Sequence, residues 1–270
     1  MLTDSFQSLA TATRQLLRNW SVLILLAGLY ASLIATLYLF ATIREASAGQ
    51  VILSLALAIT APFLFFVLQT ASATQTRGQR AGRLLRDALR NSWKVIAISV
   101  PLIALAVLMA YLLAKIQSYL GTDAHELSDV AAQYQPTALN EGRPGLRWSQ
   151  VALNAVRYLS FGFVLPLVAI HSWVASVRSD FPATIKSTKE LVVGAFAPHS
   201  VLIYSSGFLV FGVVPYLLLF NSTPASRAWM EITFLVSRLL LVFFLTLFGW
   251  VVTMSALAIS ASERRPNCAS

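Results

Sequence analysis

Three observations predict an all-α, polytopic membrane fold, with six transmembrane helices and three amphipathic helices at the cytoplasmic surface. Apolar residues make up 57% of the chain and charged residues only 11%, whereas a soluble domain carries roughly a quarter of its residues charged. Six apolar stretches are each about as long as the ~20 helical residues that cross a hydrocarbon layer of ~30 Å. The connections between them alternate between rich and poor in lysine and arginine, the pattern that orients membrane helices. A bilayer offers no water to an open sheet edge, so spans of this kind are helices.

The first amphipathic helix precedes the first span. Phe6, Leu9, Thr13, Leu16, Leu17 and Trp20 recur at intervals of three and four, opposite Gln7, Thr11, Arg14, Gln15 and Arg18, an interfacial pattern. The spans have cores at 20–43, 51–74, 95–114, 158–177, 201–220 and 239–260. The first core is about twice as long as a signal-peptide core and is expected to be a retained span. Pro62, Pro101, Pro166 and Pro215 fall inside cores and mark expected kinks.

The second connection holds Arg77, Arg80, Arg83, Arg86, Arg90 and Lys94 against one acid, Asp87. Within it Ala81, Leu84, Leu85, Ala88 and Leu89 oppose Arg83, Arg86, Asp87 and Arg90, so 77–94 reads as a second interfacial helix with Trp93 at the entrance to lipid. A third is expected over 181–196, capped by Ser179 or Asp180, with Ile185, Val192 and Phe196 toward lipid and Lys186, Lys189 and Glu190 toward water. The termini and the even connections hold 13 basic residues with five acids, a net of +8; the odd connections hold seven with six, a net of +1. The positive-inside rule then places both termini in the cytoplasm.

The order amphipathic helix, span, span thus occurs three times within one integral membrane domain, giving expected repeat units at 1–76, 77–177 and 178–262. Leu17-Arg18-Asn19-Trp20 is similar to Leu89-Arg90-Asn91-Ser92-Trp93, and Ala88 with Ser92 matches Ala183 with Ser187. The run Pro182-Ala183-Thr184-Ile185-Lys186-Ser187, continuing through Leu191-Val192-Val193-Gly194-Ala195-Phe196, resembles a large group of bacterial six-span proteins that includes the membrane domain attached to some glycerophosphoryl diester phosphodiesterases. The resemblance covers the architecture of nearly the whole chain and implies the same fold in a bacterial inner membrane. The soluble phosphodiesterase barrel of those fusions has no counterpart in this sequence, so no catalytic residue carries over.

Catalytic constellations are sparse. His125-Glu126-Leu127-Ser128-Asp129 begins like a zinc-protease motif but has Asp129 where the second histidine belongs. The other histidines are His171 and His199, and the single cysteine, Cys268, has no disulfide partner in the chain. A glycine-rich phosphate loop and a serine elbow are absent from the sequence. No metal or cofactor is expected.

Ionisable residues inside spans carry a default expectation of function, because a charge at mid-bilayer costs roughly 2.5–3.5 kcal/mol on insertion scales. Arg157, His171, Glu231 and Arg238 form the candidate intramembrane polar site. The two arginines lie at outer span ends, where their side chains can snorkel. Glu231 is a candidate partner for Arg157, and His171 is a candidate for an interhelical hydrogen bond or a proton site. The connection 116–150, broken by Gly121, Pro136, Gly142, Pro144 and Gly145, is expected to be a long outer loop serving as a linker or contacting a partner.

These features point to a noncatalytic integral inner-membrane protein, either a permease-like component or the scaffold of a membrane complex. A secondary transporter with a path between repeats is the alternative, and a lipid-modifying enzyme ranks below both. Expected partners are anionic lipid headgroups at Arg77, Arg80, Arg83, Arg86, Arg90 and Lys94, together with a protein partner or a second copy of the chain. Nucleic acid is not expected, since that basic segment is tethered between two spans.

Overall fold

A computed structural model describes residues 2–44, 47–75, 80–132, 148–178, 184, 188–220 and 228–263. Among them the regular structure is helical, without a strand. In chain order the helices are α1 (Leu2–Arg18), α2 (Trp20–Thr42), α3 (Ala48–Thr74), α4 (Ala81–Ala132), α5 (Trp148–Leu159), α6 (Leu165–Arg178), α7 (Thr188–Ala195), α8 (Pro198–Phe208), α9 (Val214–Phe220) and α10 (Ala228–Glu263). A π-helical turn, Ser160–Val164, joins α5 to α6, and another, Leu209–Val213, joins α8 to α9. Six helical stretches are long and apolar enough to cross a membrane: Trp20–Thr42, Ala48–Thr74, Ala81–Tyr119, Gln150–Arg178, Pro198–Phe220 and Trp229–Ala261. Each contains the core expected from the sequence, apart from one residue, Ile43, at the end of the first.

Local chemistry explains the breaks. Asn19 alone separates α1 from α2, and its carbonyl accepts the first turn of α2 from the Val22 and Leu23 amides. Ser47 caps α3 by accepting from the Gln50 amide at 3.4 Å. Pro198 opens α8 at a position where a missing N–H costs nothing, and Ala197 before it is extended. The two π-turns share a cause. In each, the residue just before a proline donates five residues back, Leu165 to Ser160 and Val214 to Leu209, ahead of Pro166 and Pro215. Proline removes one helical hydrogen bond and crowds the carbonyl four residues earlier, and a widened turn relieves that crowding. Pro62 and Pro101, by contrast, sit in uninterrupted α-helix.

Two sequence expectations are corrected. The outer loop 116–150 is shorter than expected: α4 continues through Ala132, the helix resumes at Trp148, and 133–147 lie outside the described residues. The basic segment 77–94 is not a separate interfacial helix. From Ala81 it is the first part of α4 and runs unbroken into the span, because no breaker precedes Pro101. Thr76–Gln79, with Arg77, lie outside the described residues, as do most residues between Arg178 and Thr188, including the caps Ser179 and Asp180. The third amphipathic segment is thus described over Thr188–Ala195, where Lys189, Glu190 and Val192 are exposed.

The chain divides into two compact units, Met1–Ile98 with Ile170–Ser270, and Ser99–Ala169. In the first, α10 is the common neighbour: α1, α2, α3, α8 and α9 all pack on it. The apolar face expected for α1 divides. Ser5, Ser8, Ala12 and Leu16 are buried, while Phe6, Leu17 and Trp20 remain exposed, so the helix shows small residues to α10 and α8 and larger ones outward. The start of α4 behaves alike, with Leu84, Ala88, Ser92 and Val95 buried and Leu89 and Trp93 exposed.

Candidate functional site

Polar chemistry in the first unit collects where α3, α6 and α10 end. Residues 67–75, 171–177 and 251–258 are buried at every position, although they include Gln69, Thr70, Ser72, Thr74, His171, Ser172, Ser176, Thr253 and Ser255. Most of these hydroxyls bond their own helix. Thr70 donates to the Phe66 carbonyl at 2.7 Å, Ser72 to Leu68 at 2.8 Å, Thr74 to Thr70 at 2.7 Å, Ser176 to Trp173 at 2.9 Å and Thr253 to Gly249 at 2.6 Å. A hydroxyl satisfied in this way turns its carbon side outward and lets helices approach closely.

Bonds between helices set the register. Trp250 Nε1–H donates to Gln69 Oε1 at 2.8 Å, tying α10 to α3, and the Tyr30 and Thr246 hydroxyls share a hydrogen bond of 2.9 Å between α2 and α10. Along α8 and α10 the paired residue numbers have a nearly constant sum, as in an antiparallel pair. His199 bonds Ser260, Gly207 faces Thr253, and the Phe211 ring meets Trp250 edge-on at 5.2 Å. His199 and Ser260 together are the nucleophile and base of a hydrolytic dyad in type. Here Ser260 is buried in the helix seam, where the pair serves to lock α8 against α10. Two buried side-chain oxygens, Gln75 Oε1 and Ser255 Oγ, have no hydrogen-bond partner among the described residues.

The second unit holds a different site. A groove of about 340 Å³ lies between α4 and the span begun by α5. Ala110, Ala114 and Gln117 line it from α4, and Asn154, Arg157 and Phe161 from the facing span. Arg157 makes no hydrogen bond or ion pair to another described residue. Gly162, inside the π-turn, borders the groove, and a Cβ there would meet nothing within 4 Å.

The sequence-derived candidates fall in both units. Arg80, Arg83, Arg86 and Arg90 are exposed and Lys94 is half-buried along the first turns of α4. Arg83, Arg86 and Arg90, spaced three and four apart, fall on one face. Arg157 belongs to the second unit, whereas His171, Glu231 and Arg238 belong to the first. His171 is buried and engaged with a neighbour; Glu231 is exposed, and Arg238 is half-buried and also engaged. His125, Glu126 and Asp129 have a helical backbone, but their side chains lie outside the described residues. Among the described residues no cluster of three or more histidines, cysteines or carboxylates could hold a metal ion. The sequence reading missed the Trp250–Gln69 and Tyr30–Thr246 bonds and the His199–Ser260 lock. Its available signal was the repeated serine and threonine run closing the second, fourth and sixth spans.

Fold and site together define an all-helical, multi-pass membrane protein. No protein-family model, curated protein or solved structure matches the chain.

Proposed function

We propose that this protein is a noncatalytic component of a bacterial inner membrane, a scaffold or permease-like subunit with both termini in the cytoplasm. The observation that carries this reading is the buried run of small and hydroxyl residues at the ends of α3, α6 and α10, tied to their own carbonyls. Such a core favours rigid packing over chemistry, since its polar atoms are committed to bonds that a reacting group would have to break. The exposed arginines of α4 supply a contact for anionic lipid at the same surface, each worth about 1 kcal/mol near a charged leaflet.

Secondary transport is the second reading, favoured by the proline-linked π-turns that interrupt the fourth and fifth spans. Proteoliposomes loaded with protons, metal cations, phosphate, amino acids or sugars separate the two. The scaffold reading expects flux indistinguishable from empty liposomes, and solute-selective flux abolished by Pro166→Ala or Pro215→Ala would replace it with the transporter. Orientation is tested on a Cys268→Ser background carrying Gly82→Cys or Gly142→Cys. Labelling of the two positions from opposite faces is expected, and labelling from the same face defeats the topology.

A further inference from the structure

We infer that the groove between α4 and the α5 span is a binding site for one anionic phospholipid, whose headgroup phosphate is held by Arg157. Polarity along the groove is graded. Gln117 and Asn154 lie at the end toward the connection, Arg157 with Tyr158 comes next, and Leu113 and Phe161 line the deeper part. The gradient has the same sense as a lipid, with its polar headgroup toward water and its ester and acyl region inward. Arg157 is seven residues inside the span that begins at Gln150, or roughly 10 Å of helix. No other described residue bonds its guanidinium, and a phosphate offers the bidentate acceptor its planar donors fit.

Small residues make the space. Ala110 and Ala114 line it from α4, and Gly162 leaves open volume that a side chain would fill. Gly162 lies within the π-turn that precedes Pro166. At about 340 Å³ the groove is within the usual range for a small-molecule site and accommodates a headgroup with the first part of its chains. The site does not depend on whether the protein conducts solute.

The test uses the full chain, delipidated in detergent, on an Arg83→Gln, Arg86→Gln, Arg90→Gln background that weakens the basic stripe of α4. Native mass spectrometry then reads retention of added phosphatidylglycerol and phosphatidylcholine. Loss of one charge-assisted contact corresponds to roughly a tenfold or greater fall in affinity. Arg157→Gln is expected to lose phosphatidylglycerol by that factor, Arg157→Lys to retain part of it, and Gly162→Leu to lose it by occlusion with the charge intact. Unchanged thermal unfolding of Gly162→Leu or Arg157→Lys separates loss of the site from loss of the fold. Equal retention of phosphatidylglycerol by wild type and Arg157→Gln overturns the proposal, as does equal retention of the two lipids by wild type. Displacement by millimolar inorganic phosphate or glycerol 3-phosphate as effective as that by lipid assigns the site to a soluble phosphate and overturns the lipid.

Discussion

Gly207 is the position where the smallest substitution should have the largest effect. A Cβ built there would lie 1.9 Å from Thr253 Oγ1, 2.8 Å from its Cγ2 and 2.9 Å from its Cβ. Non-bonded carbons are comfortable near 3.5 Å, so Gly207→Ala forces α8 and α10 apart by more than about 1 Å or drives Thr253 out of its rotamer. The first course overpacks the seam, at roughly 1–3 kcal/mol. The second forfeits the Thr253 bond to the Gly249 carbonyl, now 2.6 Å, at roughly 0.5–1.5 kcal/mol. A destabilisation of about 2 kcal/mol is expected, readable as a shifted midpoint when the protein in mixed micelles is unfolded by dodecyl sulfate. Thr253→Ala removes Oγ1 and Cγ2, the two nearest atoms, and leaves only Cβ at 2.9 Å, so the double variant should recover at least about 1 kcal/mol relative to additivity. A Gly207→Ala protein within about 0.5 kcal/mol of wild type, or an additive cycle, would refute the close-approach argument.

Trp250→Phe leaves Gln69, only 2% exposed, without its indole donor; a loss of about 1–2 kcal/mol is expected, partly recovered by adding Gln69→Leu. Recovery is measured in the same unfolding titration, and its absence would show that the bond is not what couples α3 to α10. Changing Arg83, Arg86 and Arg90 together to glutamine should lower the anionic lipid co-purifying with the protein and flatten the dependence of that retention on salt, as counted by lipid phosphorus at two ionic strengths. Retention unaltered by the triple change would remove the stripe from the lipid contact.

What the sequence disclosed follows from what each signal measures. The spans were legible because hydrocarbon thickness fixes their length and composition together, so even the span interrupted by a π-turn at Ser160–Val164 was found whole. Helix boundaries outside the spans were not. Leu17-Arg18-Asn19-Trp20 and Leu89-Arg90-Asn91-Ser92-Trp93 read almost alike, yet Asn19 breaks the helix while Asn91 donates to the Asp87 carbonyl at 3.0 Å inside one. The apolar faces expected of the amphipathic segments are covered in part, with Leu16, Leu84 and Ala88 buried and Phe6 exposed. Ala12 and Ala88 are covered where Leu17 and Leu89 are not, because close helix approach rewards small side chains and a membrane leaves larger ones facing lipid without cost. The groove at Arg157 was half legible: the charge was visible, but the α4 residues that line the groove with it lie more than thirty residues earlier.

The usual inference from a polar residue inside a span is to function, and here it divides by type of group. Hydroxyls can bond a carbonyl one turn back, so threonine and serine runs are buried on all sides of α3 and α10 with little unsatisfied polarity. The Gln69 amide instead reaches across to Trp250. Gln75 and Ser255, the exceptions, lie six and five residues past that pair on helices that cross in the same direction, some 8–9 Å along the axes. A guanidinium has neither remedy, since it carries five donors and a charge that no helix carbonyl neutralises. Among the described residues, none bonds the Arg157 guanidinium, which is open to a group from outside the chain.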